Sequence, residues 1–315
     1  MSVTDRIPAH PGAAYFGSGP YPEHRARITV LSMLAGLALT IVWSAPFVDS
    51  VIGDSVANGL LGHDAKGTPI EGALAGTVFA FVSGLAGSFT ACNIAAFGAV
   101  APLVGTETSG RPRFLTTLKP LGWIAAGMLT VSVVYGVIVA LVGTRMPQFS
   151  TAKTTGLSPR SIQSMVAFGI IGLVFIVLGL VSLGVVRNPL AGLTRRFPAT
   201  PHVLMGALIG GFLIGRPYPL FRMMFRDAAE SHNVFYGAGA FALQSIGNIV
   251  LMAVLFLLLA HATGGRVQRW LGAKPARIAA VTGAALLVAG TFTVLYWDVR
   301  VLGRTGMIWF PTVNW

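Results

Sequence analysis

The run Gly215-Arg216-Pro217-Tyr218-Pro219-Leu220-Phe221-Arg222 sets two arginines and two prolines inside an otherwise apolar segment. A guanidinium in hydrocarbon costs about 3 kcal/mol on insertion scales, and proline breaks the helical hydrogen-bond ladder. Such a segment must therefore be wrapped by protein or water. The planar five-donor fork of Arg216 suits an anion, a quinone carbonyl or a propionate, and a helix restarting after Pro219 would add free N–H donors. Alternatively, the arginines pair with Asp227 or Glu230, or with carbonyls that the prolines free. Arg222 and Arg226 read as side chains that snorkel to an interface.

Three other groups carry chemical potential. The patch from Ser83 to Asn93 is small and polar within an apolar stretch and contains Thr90, Cys92 and Asn93. Cys92 can act as a lone thiol or a soft-metal ligand, with Thr90 and Asn93 as hydrogen-bonding neighbours, or it is a small residue at a helix contact. Gln244 and Asn248 are four residues apart and share one helix face, with Ser245 beside them; they are either helix–helix glue or part of a polar site. Asp227, Glu230 and His232 offer oxygen and nitrogen ligands, but Glu230 and His232 do not share a helical face. A solvated connection explains them as well as a metal does, so no metal site is assigned.

The elements that must position these residues are membrane helices. Of 315 residues, 54% are hydrophobic and only 10% charged, which is too apolar for a soluble domain. The net charge of +12 lies mostly in short connections between apolar segments, the pattern of cytoplasmic loops, so nucleic acid is not an expected partner and a lipid bilayer is. With one cysteine, no intramolecular disulfide forms. At about 20 residues per crossing, seven spans are expected, near 29–49, 72–104, 118–142, 165–186, 202–224, 235–260 and 279–297. The fold class is thus all-α, a polytopic membrane protein. Arg25 and Arg27, then Arg111 to Lys119, Arg187 to Arg196 and Arg266 to Arg277 mark alternate connections. The N-terminus is accordingly expected in the cytoplasm and the C-terminus outside, in a plasma (inner) membrane.

Residues 1–28 are expected to form a polar arm, 29–70 the first helix and an external loop, 71–200 and 201–298 two three-helix units, and 299–315 an external tail. Because three is odd, the second triplet must be inverted relative to the first. Gly/Pro-interrupted segments at corresponding places in two inverted halves point to a site at the bilayer midplane.

The segments Gly206 to Gly215 and Tyr236 to Asn248, with the proline break between them, resemble the second half of the cytochrome c biogenesis transmembrane-region family, the CcdA and DsbD-type thiol electron carriers. Phe81 to Cys92 is similar to that family's Gly-x-x-x-Ser-Pro-Cys entry motif, with Ala91 at the proline position. The likeness spans roughly residues 71–293. It implies a CcdA-like inverted 3+3 repeat plus one N-terminal helix, with Cys92 as the redox cysteine. The family's second cysteine falls at Tyr218 or Pro219 here. The implied role is extracytoplasmic thiol-redox or cytochrome c maturation in a single-cysteine form, with thioredoxin-like or other membrane-complex partners.

Two further roles remain open. One is a transporter of a small solute, metal ion or anion through broken helices; the other is a non-catalytic accessory subunit or assembly factor. Enzymatic activity and cofactor are left undetermined by the sequence. The candidate site comprises Cys92 as the catalytic thiol, with Asn93, Thr90, Arg216, Tyr218, Gln244 and Asn248 around a substrate.

Overall fold

The computed structural model describes residues 21–44, 47–88, 113–150, 156–215, 219–262, 266, 270–271 and 273–311. Every regular element among them is helical. In chain order these are α1 (Arg25–Val42), α2 (Asp54–Leu61), α3 (Gly72–Gly87), α4 (Arg113–Val142), α5 (Pro159–Ser182), α6 (Ala191–Arg196), α7 (Thr200–Gly215), α8 (Pro219–Glu230), α9 (Val234–Ala262), α10 (Pro275–Val294) and α11 (Arg300–Arg304). A π-helical turn, Leu295–Val299, joins α10 to α11, so that Ala276–Arg304 forms one 29-residue span.

Five helices are long and apolar enough to cross a membrane: Arg25–Val42, Lys119–Arg145, Pro159–Ser182, Val234–Leu255 and Ala276–Arg304. The bent pair α7 and α8, with axes 83° apart, supplies a sixth crossing if it is one span. α3 has 16 residues, about 24 Å of helix against about 30 Å of hydrocarbon, and residues 89–112 lie outside the described residues. The chain is a multi-pass helical membrane protein.

The helices pack in the order α3, α9, α4, α7, α5, α10, α1. Contacts between the helices fix their directions. The Gly84–Gln244 and Ser88–Asn248 contacts rise together, so α3 and α9 are parallel. Gly206 against Ile124 and Gly210 against Met128 make α7 and α4 parallel as well, and Gly36 against Thr291 with Thr40 against Arg300 does the same for α1 and α10. Ser132 against Ser245 and Gly136 against Gly237 make α4 and α9 antiparallel. Gly172 against Gly290 and Gly179 against Gly283 do so for α5 and α10. Ser164 against Gly215 and Ile171 against Gly211 make α5 and α7 antiparallel, so α1, α4, α7 and α10 run one way, and α3, α5 and α9 the other.

Two apolar cores result. One joins α4, α5, α7 and α10 around Ile124, Phe168, Phe175, Met205 and Phe212. The other lies where α8 turns in against α3, α4 and α9. There Phe225 stacks on Phe241 at 4.5 Å, and the Tyr135 ring stands edge-on to Phe241 at 5.5 Å. α8 is amphipathic: Leu220, Phe221, Met224, Phe225, Ala228 and Ala229 are buried, while Arg222, Arg226 and Glu230 are exposed. That pattern explains why α8 leaves the direction of α7 and lies across the end of the bundle.

Candidate functional site

Small residues make the site possible. A Cβ at Gly84 would stand 2.0 Å from the Gln244 carbonyl oxygen, and one at Gly247 would stand 2.3 Å from the Phe81 carbonyl. With glycine at both places, α3 and α9 approach backbone to backbone, as small residues permit in membrane helices. The polar side chains that flank these glycines are thereby enclosed. Ser88 donates its hydroxyl to Asn248 Oδ1 at 2.8 Å, with the Gly84 carbonyl, 3.1 Å away, as the competing acceptor. The Ser132 and Ser245 hydroxyls pair at 2.5 Å between α4 and α9.

Gln244 sits among them with 0% exposure, and among the described residues neither its Nε2 nor its Oε1 has a hydrogen-bond partner. A buried amide left unsatisfied costs about 1–3 kcal/mol. It brings two donors and an acceptor to a junction where Ser88 and Asn248 are already joined. Chemically the junction offers amide and hydroxyl groups that can hydrogen-bond a polar solute or ion. Gln244 and Asn248 do share one face of α9, turned toward α3. Thr90, Cys92, Asn93, Arg216 and Tyr218 lie outside the described residues.

The proline break is served from α5. In a helix the carbonyl of residue 215 would accept from residue 219, but Pro219 has no N–H. Ser164 Oγ donates to the Gly215 carbonyl at 2.5 Å, and Gln163 Nε2 donates to the Ile214 carbonyl at 2.6 Å. Gln163 Nε2 also reaches the Tyr135 hydroxyl at 3.0 Å, which in turn donates to Gln148 Oε1 at 2.9 Å. This chain of hydrogen bonds was not anticipated from the sequence. The signal available was the pair Gln163-Ser164 near the start of an apolar span, polar groups with no evident partner.

The other candidates are dispersed. Asp227 accepts a hydrogen bond from the Tyr236 hydroxyl, and Arg226 faces Glu230 at 3.5 Å on the exposed side of α8. His232 adopts a left-handed backbone (φ 49°) and packs against Gly143. Asp227, Glu230 and His232 do not converge, and among the described residues no three His, Cys, Asp or Glu side chains gather. Arg300, 5% exposed, was also missed: its Nη1 donates to the Thr40 and Trp43 carbonyls at 3.0 and 2.9 Å, closing the C-terminal end of α1. No family model, curated protein or solved structure matches the chain.

Proposed function

We propose that the protein is a plasma-membrane carrier built from two inverted three-helix repeats behind an extra N-terminal helix, handling a small polar solute or ion at the junction of α3, α4 and α9. The observation that carries this reading is the fully buried Gln244 amide with both polar atoms unpartnered, beside the Ser88–Asn248 pair. Membrane proteins keep such groups where they meet a substrate or pathway.

The repeat is supported by register. Adding 122 to positions in α3 gives positions in α7, and subtracting 120 from positions in α9 gives positions in α4. The contact Gly84 with Gln244 then becomes Gly206 with Ile124, Gly247 with Phe81 becomes Gly127 with Val203, and Ser88 with Asn248 becomes Gly210 with Met128. Between α5 and α10 an offset of 111 turns the Gly172–Gly290 contact into Gly283–Gly179. Contacts exchange in this way when a two-fold axis relates two triplets. The short helices α3 and α7 then occupy equivalent places, as in carriers whose broken helices meet at the midplane.

Orientation is supported by charge. Arg25, Arg27, Arg187, Arg195, Arg196, Lys274 and Arg277 collect at one end of the bundle with Glu23 as the one acidic residue described there, whereas at the other end Lys66, Arg145, Arg160, Arg222, Arg226, Arg300 and Arg304 are offset by Asp54, Asp64, Glu71, Asp227, Glu230 and Asp298. By the positive-inside rule the first end faces the cytoplasm.

A second reading, a single-cysteine thiol carrier served by thioredoxin-like partners, is favoured by the position of Cys92 only four residues beyond Ser88 in sequence. Uptake of candidate solutes and ions into proteoliposomes separates the two. The solute carrier loses uptake on Gln244→Leu and keeps it on Cys92→Ser. The thiol carrier instead forms mixed disulfides that Cys92→Ser abolishes. Gln244→Leu removes an amide that has no protein partner, so its unfolding temperature should stay level or rise. Unchanged uptake in that variant would overturn the carrier site.

A further inference from the structure

A groove of about 680 Å³ runs along the outer face of α5, between α5, α4 and α7, well within the size range of ligand pockets. Its walls include Val131, Ile162, Val166, Ile170 and Ala207, and Gln163 is its one polar side chain. Ile162, Val166 and Ile170 are 48%, 57% and 59% exposed, so the groove opens toward the surrounding lipid.

Its polar end is specific. Gln163 lies in the first turns of α5, and the hydrogen bonds described above fix its amide orientation. The Ile214 carbonyl can only accept, and the Tyr135 hydroxyl already donates to Gln148, so Nε2 must face both. Gln163 Oε1 is left buried without a partner, an acceptor waiting for a donor at the head of an apolar channel. Three residues before Gln163 on α5, Arg160 lies close enough to Arg222 on α8 for the two to repel, as Arg226 also repels Arg222; neither Arg160 nor Arg222 lines the groove itself. The ion pairs among the described residues are Lys66–Asp54 and Arg226–Glu230, so neither Arg160 nor Arg222 has a carboxylate partner. Two like charges held together by different helices call for an anion.

We propose that this groove binds an anionic phospholipid with a hydroxylated head, of the phosphatidylglycerol type. The phosphate lies between Arg160 and Arg222, a head hydroxyl donates to Gln163 Oε1, and one acyl chain follows Ile162, Val166 and Ile170 toward the bundle centre. Basic clusters between membrane helices recognise anionic head groups in this way, and the guanidinium fork matches phosphate oxygens. The lipid would brace α5, whose Gln163 and Ser164 bond the carbonyls before the proline break, against α8, which follows it.

The test is lipid retention by the full-length protein. Protein reconstituted in nanodiscs of equal phosphatidylglycerol and phosphatidylcholine with identical acyl chains is extracted into mild detergent and analysed by native mass spectrometry. Wild type should retain phosphatidylglycerol at least about tenfold over phosphatidylcholine, the order expected from two basic side chains. Arg160→Gln with Arg222→Gln should abolish that preference while the protein stays folded. Val166→Trp, which fills the groove and leaves the arginines in place, should reduce retention of both lipids. Equal retention of the two lipids by wild type overturns the proposal, as does an undiminished preference in the double arginine variant.

Discussion

Gly215 has a carbonyl whose ordinary helical partner is a proline, and Ser164 supplies the missing donor across 51 residues of sequence. Without Ser164 that carbonyl is buried and unsatisfied, which costs about 1–3 kcal/mol. Ser164→Ala should therefore lower stability by that amount in a reversible detergent-unfolding titration, whereas Thr130→Ala should cost little. The Thr130 hydroxyl only returns to its own helix, on an exposed face. The break itself was legible in the sequence, since proline chemistry is local. Its partners were not, because nothing local says that Gln163 and Ser164 of a different span meet it. Gln244 and Asn248 were legible as neighbours because four-residue spacing is a helical property. That Gln244 is unpartnered depends on how closely α3 approaches, and tertiary packing alone decides that. Arg300 was hidden for a related reason, since residues 299–315 were read as tail where the helix continues through a π turn to Arg304.

At the scale of helices, glycine marks the interfaces. α9 offers an internal comparison two residues apart: a Cβ at Gly237 would stand 2.6 Å from the Gly136 carbonyl, whereas one at Gly239 would meet nothing within 4 Å. Gly237→Ala must push α4 and α9 apart and should cost about 1–3 kcal/mol, the usual range for overpacking. Gly239→Ala relieves a helix of its weakest former and should be neutral or stabilising by up to about 1 kcal/mol. Thermal unfolding of the two variants in one detergent checks both signs at once, and equal destabilisation would mean that the α4–α9 interface is not packed through Gly237. The sequence expected one crossing over 202–224, interrupted at the prolines, without a change of direction. α7 ends at Gly215, where the break was expected, but the next twelve-residue helix departs at 83° because its apolar side chains lie on one face only. A window of mean apolarity cannot distinguish an amphipathic half-helix from the second half of a span.

For the whole molecule, α1 acts as a ruler. Arg25 at its start reaches the Gly184 carbonyl just past α5, while its far end receives Arg300. The two ends of the described chain therefore lie at opposite ends of the bundle, as an odd number of crossings requires. Charge is uneven along the same axis, with the net positive excess at the end that holds Arg25. Since Cys92 is the only cysteine, a Cys92→Ser background is silent to thiol reagents. Within it, Glu23→Cys and Thr305→Cys, both at exposed positions, report the two ends separately. A membrane-impermeant maleimide added to intact cells should label Thr305→Cys, and Glu23→Cys only after lysis. Labelling of both variants from one side would require an even number of crossings, which would break the inversion on which the shared midplane site depends.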